Sequence, residues 1–322
     1  MNCHSIRVLM LAIFVMLPAS LASAAETATA ETTGKTVKIS FDGKPFSEYL
    51  GEGYAKPVIY PIIGPHGIRM TRDWPMKDNT PGEAKDHPHQ KSLWYTHGDV
   101  NGIDFWAEGP TKGRIVQDGA ASVNTGGKDG VAFVTIDTKN AWNSAEGKTI
   151  LSDERSVKFL NLGHDESAID FQITLIASHG EVKFGDTKEG TMGIRTHPAL
   201  ELKGKEAKGK AVNSEGVEGA AIWGKQAKWV DYWATIDGKT VGVAIFDHPS
   251  NPRHPSHWHA RDYGLIAVNP FGIGNFEKGK PKNAGEMVIR NGEKATFKYR
   301  FLFHKGDAKE GKIADRFAEF AK

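Results

Sequence analysis

The sequence is nearly free of cysteine, since Cys3 is the single one among 322 residues. One cysteine near the N-terminus excludes an internal disulfide framework and a metal site built from several thiolates. It also leaves the rest of the chain without a thiol nucleophile. The folded part must therefore be stabilised by a core of apolar side chains.

Long apolar runs and an excess of charge of one sign are missing as well. Beyond residue 24, no stretch of 18 uninterrupted apolar residues occurs, so we expect no membrane-spanning helix there. The chain has 41 lysine and arginine residues against 39 aspartate and glutamate residues, without a long basic run. This balance of charge disfavours nucleic acid as a partner.

The N-terminus has the pattern of a secretory signal peptide. A short lead that contains Arg7 precedes the apolar run from Val8 to Leu17, which is too short to cross a bilayer comfortably. Small residues follow, and Ala22-Ser23-Ala24 has the Ala-x-Ala form of a cleavage site. We therefore predict a signal peptide over residues 1–24. The protein is expected to be exported, periplasmic or extracellular, with no membrane attachment after cleavage.

The next ten residues, 25–34, are small and polar without periodicity, which predicts a flexible linker. No later change in composition marks a boundary, so residues 35–322 are predicted to form a single domain. Within it, apolar residues alternate with polar ones, as is typical of strands with one buried face. The clearest rows are Val37, Ile39 and Phe41; Ile169, Phe171, Ile173 and Leu175; and Phe297, Tyr299, Phe301 and Phe303.

Turn dipeptides between strand-like runs indicate hairpins. Asp237-Gly238 and Asn291-Gly292 each separate two such runs, which predicts antiparallel pairing across both turns. We therefore predict an all-β fold, a large antiparallel sandwich of two sheets, with two β subdomains as the alternative.

Only the C-terminal tail spaces its apolar residues for a helix. Ile313, Phe317 and Phe320 fall on one side of it, and Asp307 is predicted to be its N-cap. The sandwich is thus expected to carry one C-terminal helix.

Residues 86–106 form the first of two segments rich in histidine, aspartate and tryptophan. His87 and His89 are two residues apart, so in an extended backbone their side chains point to the same side. Pro88 removes a backbone donor between them and favours an edge strand or a loop. Together with His97, these imidazoles suit either a metal site or acid–base chemistry.

The second segment spans residues 247–272. Three prolines from Pro249 to Pro255 predict a stiff loop, and His257 and His259 repeat the two-residue spacing of the first segment. Stiff loops on β scaffolds often position functional groups. A single histidine is more often a structural hydrogen-bonding group. It is therefore the clustering, seven of thirteen histidines in two segments, that predicts a site.

A third, shorter element is the run from Gly193 to Pro198, which places Arg195 and His197 on one face of an extended chain. Arg69 is expected to join them, because arginine offers planar donors suited to carboxylates and vicinal hydroxyls. Tryptophans are more often core residues than surfaces on which sugars stack. Trp94 and Trp258 are nevertheless candidates for the second role.

The two histidine segments and the run GIRTHP at 193–198 resemble a family of secreted bacterial proteins known as methane oxygenase PmoA-like. The resemblance extends over essentially the whole chain after the signal peptide. It implies a β-sandwich of the large galactose-mutarotase-like kind and a bacterial setting rich in polysaccharide degradation. Methane oxidation is rejected despite the family's name. The membrane subunit to which that name refers is a helical protein with several spans, whereas this chain is predicted to be all β.

The first functional hypothesis is a hydrolase, lyase or epimerase that acts on a sugar ring of a small molecule or oligosaccharide. Such an enzyme needs an acid, a base and a cation that stabilises developing negative charge. His89 and His257 are predicted to move the protons, with Asp104 and Asp262 orienting them. The predicted catalytic set is His89, His257, Asp104, Asp262, Arg195 and Arg253, and the substrate-binding set is Arg69, Trp94, His97, His197, Trp258 and Asn269.

Two other hypotheses use the same segments. In the second, a divalent metal is bound by His87, His89, His257 and His259, and such ligands suit zinc, manganese or iron. The first hypothesis requires no cofactor. The third is a non-catalytic glycan-binding protein whose tryptophans contact the sugar. The idea of a shared site requires that the two histidine segments meet in the fold.

Overall fold

The computed structural model describes Met1 and residues 27–322 of the chain. Apart from Met1, the predicted signal peptide lies outside these described residues. No helix between residues 27 and 322 is long and apolar enough to cross a membrane.

Strands dominate the described part of the chain. In chain order they are β1 (Ala28–Thr33), β2 (Thr36–Phe41), β3 (Lys44–Leu50), β4 (Val58–Ile62), β5 (Leu93–His97), β6 (Arg114–Lys128), β7 (Val131–Asn143), β8 (Thr149–Gly163), β9 (Glu166–Ile176), β10 (Val182–Phe184), β11 (Gly190–Arg195), β12 (Lys210–Asn213), β13 (Trp229–Ile236), β14 (Lys239–Asp247), β15 (His257–Ala260), β16 (Leu265–Asn269), β17 (Met287–Ile289) and β18 (Lys294–Lys305). The helices are α1 (Ile273–Phe276) and α2 (Ile313–Phe320), and short 3-10 turns cover Pro65–Gly67, Pro198–Leu200 and Gly219–Ile222.

The strands form two large antiparallel sheets. Sheet I has the spatial order β1-β2-β3-β4-β5-β11-β16-β15, and sheet II has the order β12-β13-β14-β18-β9-β8-β7-β6. Strands β10 and β17 pair separately. The predicted all-β fold of two antiparallel sheets with a C-terminal helix is confirmed.

The core lies between the sheets, where alternate residues of both meet. Tyr95 of β5 in sheet I stacks on Phe171 of β9 in sheet II, with ring centroids 6.3 Å apart. All three alternating rows of the sequence are buried at this interface. Each fully buried apolar side chain of this kind contributes about 1.5–3 kcal/mol by leaving water.

The predicted linker is corrected in part. Residues 25 and 26 lie outside the described part of the chain, but Ala28–Thr33 form β1, which pairs with β2 along its whole length. Most side chains of β1 are exposed, because it is the edge strand of sheet I. Only the small residues Ala28 and Ala30 of β1 pack against the core, and this weak alternation explains why its sequence resembles a linker.

The two turn dipeptides have different outcomes. Asp237-Gly238 connects β13 and β14, which pair with Ile236 opposite Lys239, as predicted. The hairpin predicted at Asn291-Gly292 is wrong, since β17 pairs with β10 and the following strand, β18, pairs with β14 and β9. Asn291-Gly292 is a turn, but it joins strands of different sheets.

The predicted C-terminal helix is present as α2. Ile313 and Phe317 are buried, and Phe317 makes an edge contact with Phe246 of sheet II, with ring centroids 5.7 Å apart. Asp307 is not the N-cap, because the helix begins at Ile313 and Lys312 occupies the N-cap position. Its carboxylate accepts from the backbone N–H groups of Lys309 and Glu310.

A buried ion pair lies among the apolar residues between the sheets. Asp153 and Arg155 of β8 are 0 % and 2 % exposed, and the Arg155 Nε donates to Asp153 Oδ1 at 3.0 Å. Asn140 and Trp142 of the neighbouring β7 also donate to Asp153, at 2.7 and 2.6 Å. Four donated hydrogen bonds thus satisfy both carboxylate oxygens of Asp153.

We predict that Asp153→Asn destabilises the protein by about 3–5 kcal/mol, since it leaves the Arg155 charge buried without its counter-ion. Urea unfolding monitored by tryptophan fluorescence measures the change. Glu154→Gln is the matched control, because Glu154 is exposed and forms a long ion pair, at 3.7 Å, with the exposed Lys139. It should change stability by less than about 0.5 kcal/mol. An equal effect of both substitutions would contradict the prediction.

Candidate functional site

The site lies on the outer face of sheet I, the face that points away from sheet II. One row of paired residues crosses five neighbouring strands on this face. It runs from Val58 through Trp94, Gly193 and Ala267 to His259. Because strands are about 4.8 Å apart, this row brings Trp94 of the first histidine segment and His259 of the second within about 14 Å of each other.

Gly193 is required at the centre of this row. A Cβ atom at this position would lie 3.0 Å from the Trp94 ring, which shows that the indole extends across the glycine. Trp94 in turn contacts Trp106, with ring centroids 5.5 Å apart, and both are buried. These two indoles form an apolar wall beside the polar groups of the site.

Asp86 joins the loop before β5 to sheet I. Its carboxylate accepts from Arg72 and, at 3.3 Å, from Arg195 at the end of β11. Both arginines are 1 % exposed. Burial alone would raise the pKa of Asp86, but the hydrogen bond from Arg72 and the charge of Arg195 outweigh it and lower the pKa to about 2. Asp86 is therefore ionised throughout the physiological range.

The two histidine segments meet beside this ion pair. His87 of the first segment stacks on Tyr263 of the second, with ring centroids 5.0 Å apart and an interplanar angle of 10°. The Arg195 guanidinium lies 4.6 Å from the centre of the same Tyr263 ring. Thus the first segment, the Gly193–Pro198 run and the second segment contribute to one site.

Glu201 is a carboxyl group of the site that carries a proton near neutral pH. Its Oε1 lies 3.5 Å from Arg195 Nη2, and its side chain is 12 % exposed. Burial raises the pKa of Glu201 to about 7, since the opposing effect of Arg195 is smaller and Asp86 adds to the rise. Glu201 can therefore act as an acid or a base under ordinary conditions.

His89 is a neutral imidazole next to His87. The centroids of the two rings are 5.8 Å apart. Burial, helped by the charge of Lys56, lowers the pKa of His89 to about 4. Lys56 is itself buried and donates to Glu108 at 2.8 Å, and Lys91 donates to the same carboxylate. A neutral imidazole can accept a proton at pH 7.

His259 is the second neutral imidazole of the outer face. Burial lowers its pKa to about 4, and its Nδ1 is buried without a hydrogen-bond partner. The carboxylate of Glu189 opposes the shift at both His259 and His89. Glu189 is therefore close enough to both histidines for its charge to act on them.

The predicted metal site is not formed. Within residues 27–322, no three or more His, Cys, Asp or Glu side chains are grouped so that they could hold a metal ion. His87 and His89 contact Tyr263 and Trp106, whereas His257 and His259 contact Phe276. The two histidine pairs thus have different neighbours.

The predicted acid–base partners are also corrected. His257 Nε2 pairs with Glu277 Oε1 at 2.9 Å, not with Asp262, which lines a groove with Lys203 and Trp233. The carboxylate of Asp104 accepts from two backbone N–H groups and from Lys112, so it holds a turn and does not orient His89.

Two predicted sugar contacts face the core. Trp258 is fully buried there, and its Nε1 donates to the carbonyl of Ala227 at 2.9 Å. His97 is also fully buried, with Nε2 2.8 Å from the carbonyl of Gly185, and burial lowers its pKa to about 4. Trp258 lies between His257 and His259 on a strand, so its side chain points to the opposite face. Neither residue can stack on a bound sugar.

Four other predicted residues hold loops. Arg69 binds Asp73 and Glu83, and Arg253 donates to the carbonyls of Pro270, Gly285 and Glu286. His197 Nδ1 accepts from the Ala199 N–H, and Asn269 donates to the carbonyl of Thr187. These contacts use most of the polar atoms that were expected to bind substrate.

The sequence interpretation missed Arg72, Asp86, Glu189, Glu201 and Tyr263. Asp86 and Tyr263 lie within the two histidine segments, so the enrichment that marked these segments could have included them. Arg72 is three residues from Arg69. Glu189 and Glu201 flank the Gly193–Pro198 run, but no local pattern distinguishes them from other acidic residues.

The fold and site together define an antiparallel β-sandwich protein with ionisable side chains clustered on the outer face of one sheet. A family model described as a family of unknown function, DUF6807, matches residues 36–318, and the chain belongs to this family. The PmoA-like name is not confirmed. No curated protein matches the sequence significantly.

Two solved structures are similar to the chain. A galactose mutarotase-like protein from Clostridium acetobutylicum has 9 % identity and a TM-score of 0.41, over 87 % of this chain and 98 % of that one. A galactose mutarotase related enzyme from Lactobacillus acidophilus has 10 % identity and a TM-score of 0.33, over 86 % and 97 %. At these TM-scores, neither likeness determines an activity.

The raised pKa of Glu201 predicts a dependence of stability on pH. The folded state holds this proton more tightly than the unfolded state, so the resulting stabilisation is complete below about pH 4.5 and is lost as the pH rises through about 7. The free energy of unfolding of wild type should therefore fall relative to that of Glu201→Gln over this window. The fall should be on the order of 3 kcal/mol.

Urea unfolding at a series of pH values measures this difference. Glu293→Gln is the matched control, because the Glu293 side chain is 55 % exposed in a turn. It should show no comparable trend. If the difference in unfolding free energy between wild type and Glu201→Gln stays constant from pH 4.5 to 7, folding does not raise the pKa of Glu201 and the prediction is wrong.

Proposed function

We propose that the protein is an exported carbohydrate-processing enzyme that uses acid–base catalysis on the outer face of sheet I. The observation that carries the proposal is the arrangement around Arg195. Asp86 and Glu201 contact Arg195 directly, and His89 is connected to it through the rings of His87 and Tyr263. The surroundings drive the pKa values of these three groups apart: Asp86 at about 2, His89 at about 4 and Glu201 at about 7. Such separation assigns different proton-transfer roles to neighbouring groups.

Each group has a role that follows from its ionisation. Glu201 carries a proton up to about pH 7 and donates it to a leaving or ring oxygen. His89 is neutral above about pH 4 and accepts a proton from a hydroxyl group, a C–H group or a water molecule. Asp86 stays ionised and keeps Arg72 and Arg195 in place. Arg195 stabilises negative charge that develops near Glu201.

Hydrogen-bonding groups without protein partners support a polyhydroxylated substrate. Trp94 Nε1, Arg195 Nε and His259 Nδ1 are all buried and have no partner within the described chain. Buried polar groups are nearly always hydrogen-bonded, so a bound ligand or water would supply the missing partner at each of these atoms. Sugar hydroxyls both donate and accept, which suits this set of two donors and one imidazole nitrogen.

Turnover of a panel of mono- and oligosaccharides, followed by NMR with and without chelator, tests this function. We expect product formation that is indifferent to chelator, with a bell-shaped pH profile bounded near 4 by His89 and near 7 by Glu201. Glu201→Gln should lower kcat/KM by about 10²–10⁴-fold and remove the alkaline limb. His89→Asn should remove the acidic limb.

His164→Asn and Glu293→Gln are the controls, since both side chains are exposed in turns outside the site. Both should retain wild-type activity and the same pH profile. Absence of turnover on every sugar would refute the proposed function. Turnover with an alkaline limb that persists in Glu201→Gln would refute the role of Glu201.

A further inference from the structure

Arg261 lies beside the site in the turn between β15 and β16. Its backbone N–H donates to the carbonyl of Leu265 at 2.7 Å, and its carbonyl accepts from the Gly264 N–H at 3.2 Å. The Tyr232 hydroxyl also donates to this carbonyl, at 3.4 Å. The position of the residue is therefore set by its backbone and does not depend on contacts of its side chain.

The side chain of Arg261 faces the site without a partner. Within residues 27–322, its guanidinium donates no hydrogen bond of normal geometry and forms no ion pair, and its Nε is buried. The guanidinium carbon lies 5.4 Å from the centre of the Tyr263 ring, the ring on which His87 stacks. Its charge also contributes to the low pKa of His259, after the larger effect of burial.

Five other cations near the site each have an acidic side chain of the protein as an ion-pair partner. Arg72 and Arg195 share Asp86, and Arg195 also approaches Glu201. Lys56 and Lys91 share Glu108, and Lys188 binds Glu189. Asp262, which follows Arg261 in the chain, makes no ion pair with it. Arg261 is thus the cation at this site that lacks a counter-charge within the described chain.

We infer that Arg261 binds a carboxylate of the substrate, so that the sugar processed at this site is a uronic acid. The planar guanidinium matches the two oxygens of a carboxylate, whereas Arg195 already has its acceptors in the protein. This inference rests on the proposed function and adds the substrate class to it. Arg195 and Arg261 both approach the Tyr263 ring, so a carboxylate bound by Arg261 would lie next to the acid–base groups around Arg195.

Calorimetric titration tests the inference independently of turnover. The ligands are glucuronate, glucose and glucose 6-sulfate, together with galacturonate and galactose. Wild type should bind each uronate at least about tenfold more tightly than the matching neutral sugar, which is the ratio that one charge-assisted hydrogen bond provides. The preference should weaken as salt concentration rises.

Variants at Arg261 separate charge from geometry. Arg261→Gln should reduce the preference for uronate to near unity and leave the affinity for the neutral sugar unchanged. Arg261→Lys should retain part of it, because lysine keeps the charge but loses the planar pair of donors. Arg290→Gln is the matched control, since the Arg290 side chain is 80 % exposed in a distant turn, and it should keep the full preference.

The outcomes distinguish this inference from the proposed function. Equal affinity of wild type for acidic and neutral sugars, or a preference that survives in Arg261→Gln, overturns the inference alone. Tighter binding of glucose 6-sulfate than of glucuronate also overturns it, because the anion would then be a sulfate. Uronate binding that depends on Arg261 but is followed by no reaction supports the inference and refutes the proposed enzyme activity.

Discussion

The site depends on the ion pairs that the Asp86 carboxylate forms with two buried arginines. Arg72 comes from the chain that follows β4 and Arg195 from the end of β11, so one carboxylate joins a long loop to sheet I. Without Asp86, two guanidinium groups would lie side by side with little exposure to water, which is costly. Since the same loop carries His87 and His89, the placement of both imidazoles over the outer face follows from this ion pair.

Much of the fold could be predicted because alternation is a local property. The rows of β2, β9 and β18 each identify a buried face from a few consecutive residues. The order of strands is not local, and Asn291-Gly292 shows the difference: the turn was recognised, but the partners of its strands depend on distant segments. β1 was missed because its inward face carries only the two small, half-buried residues Ala28 and Ala30.

The site was only partly predictable, for two physical reasons. Alternation itself requires Trp258 to point away from His257 and His259, so the sequence already contained the argument against its role as a sugar contact. The pKa of Glu201, by contrast, depends on burial by segments far apart in the chain, and no local pattern reveals it. The histidine segments do meet, but through His87 and Tyr263, while His257 pairs with Glu277 outside the cluster around Arg195.

The buried pair of Asp153 and Arg155 has a consequence for how sheet II assembles. A shift of β8 by one residue would turn both charges to the outer face and bring Ser152, Glu154 and Ser156 into the interior. Glu154 would then face the apolar core, and the donors of Asn140 and Trp142 would lose the carboxylate that they share. The pair also opposes a shift by two residues, which would keep the apolar side chains facing inward but would separate Asp153 from Asn140 and Trp142.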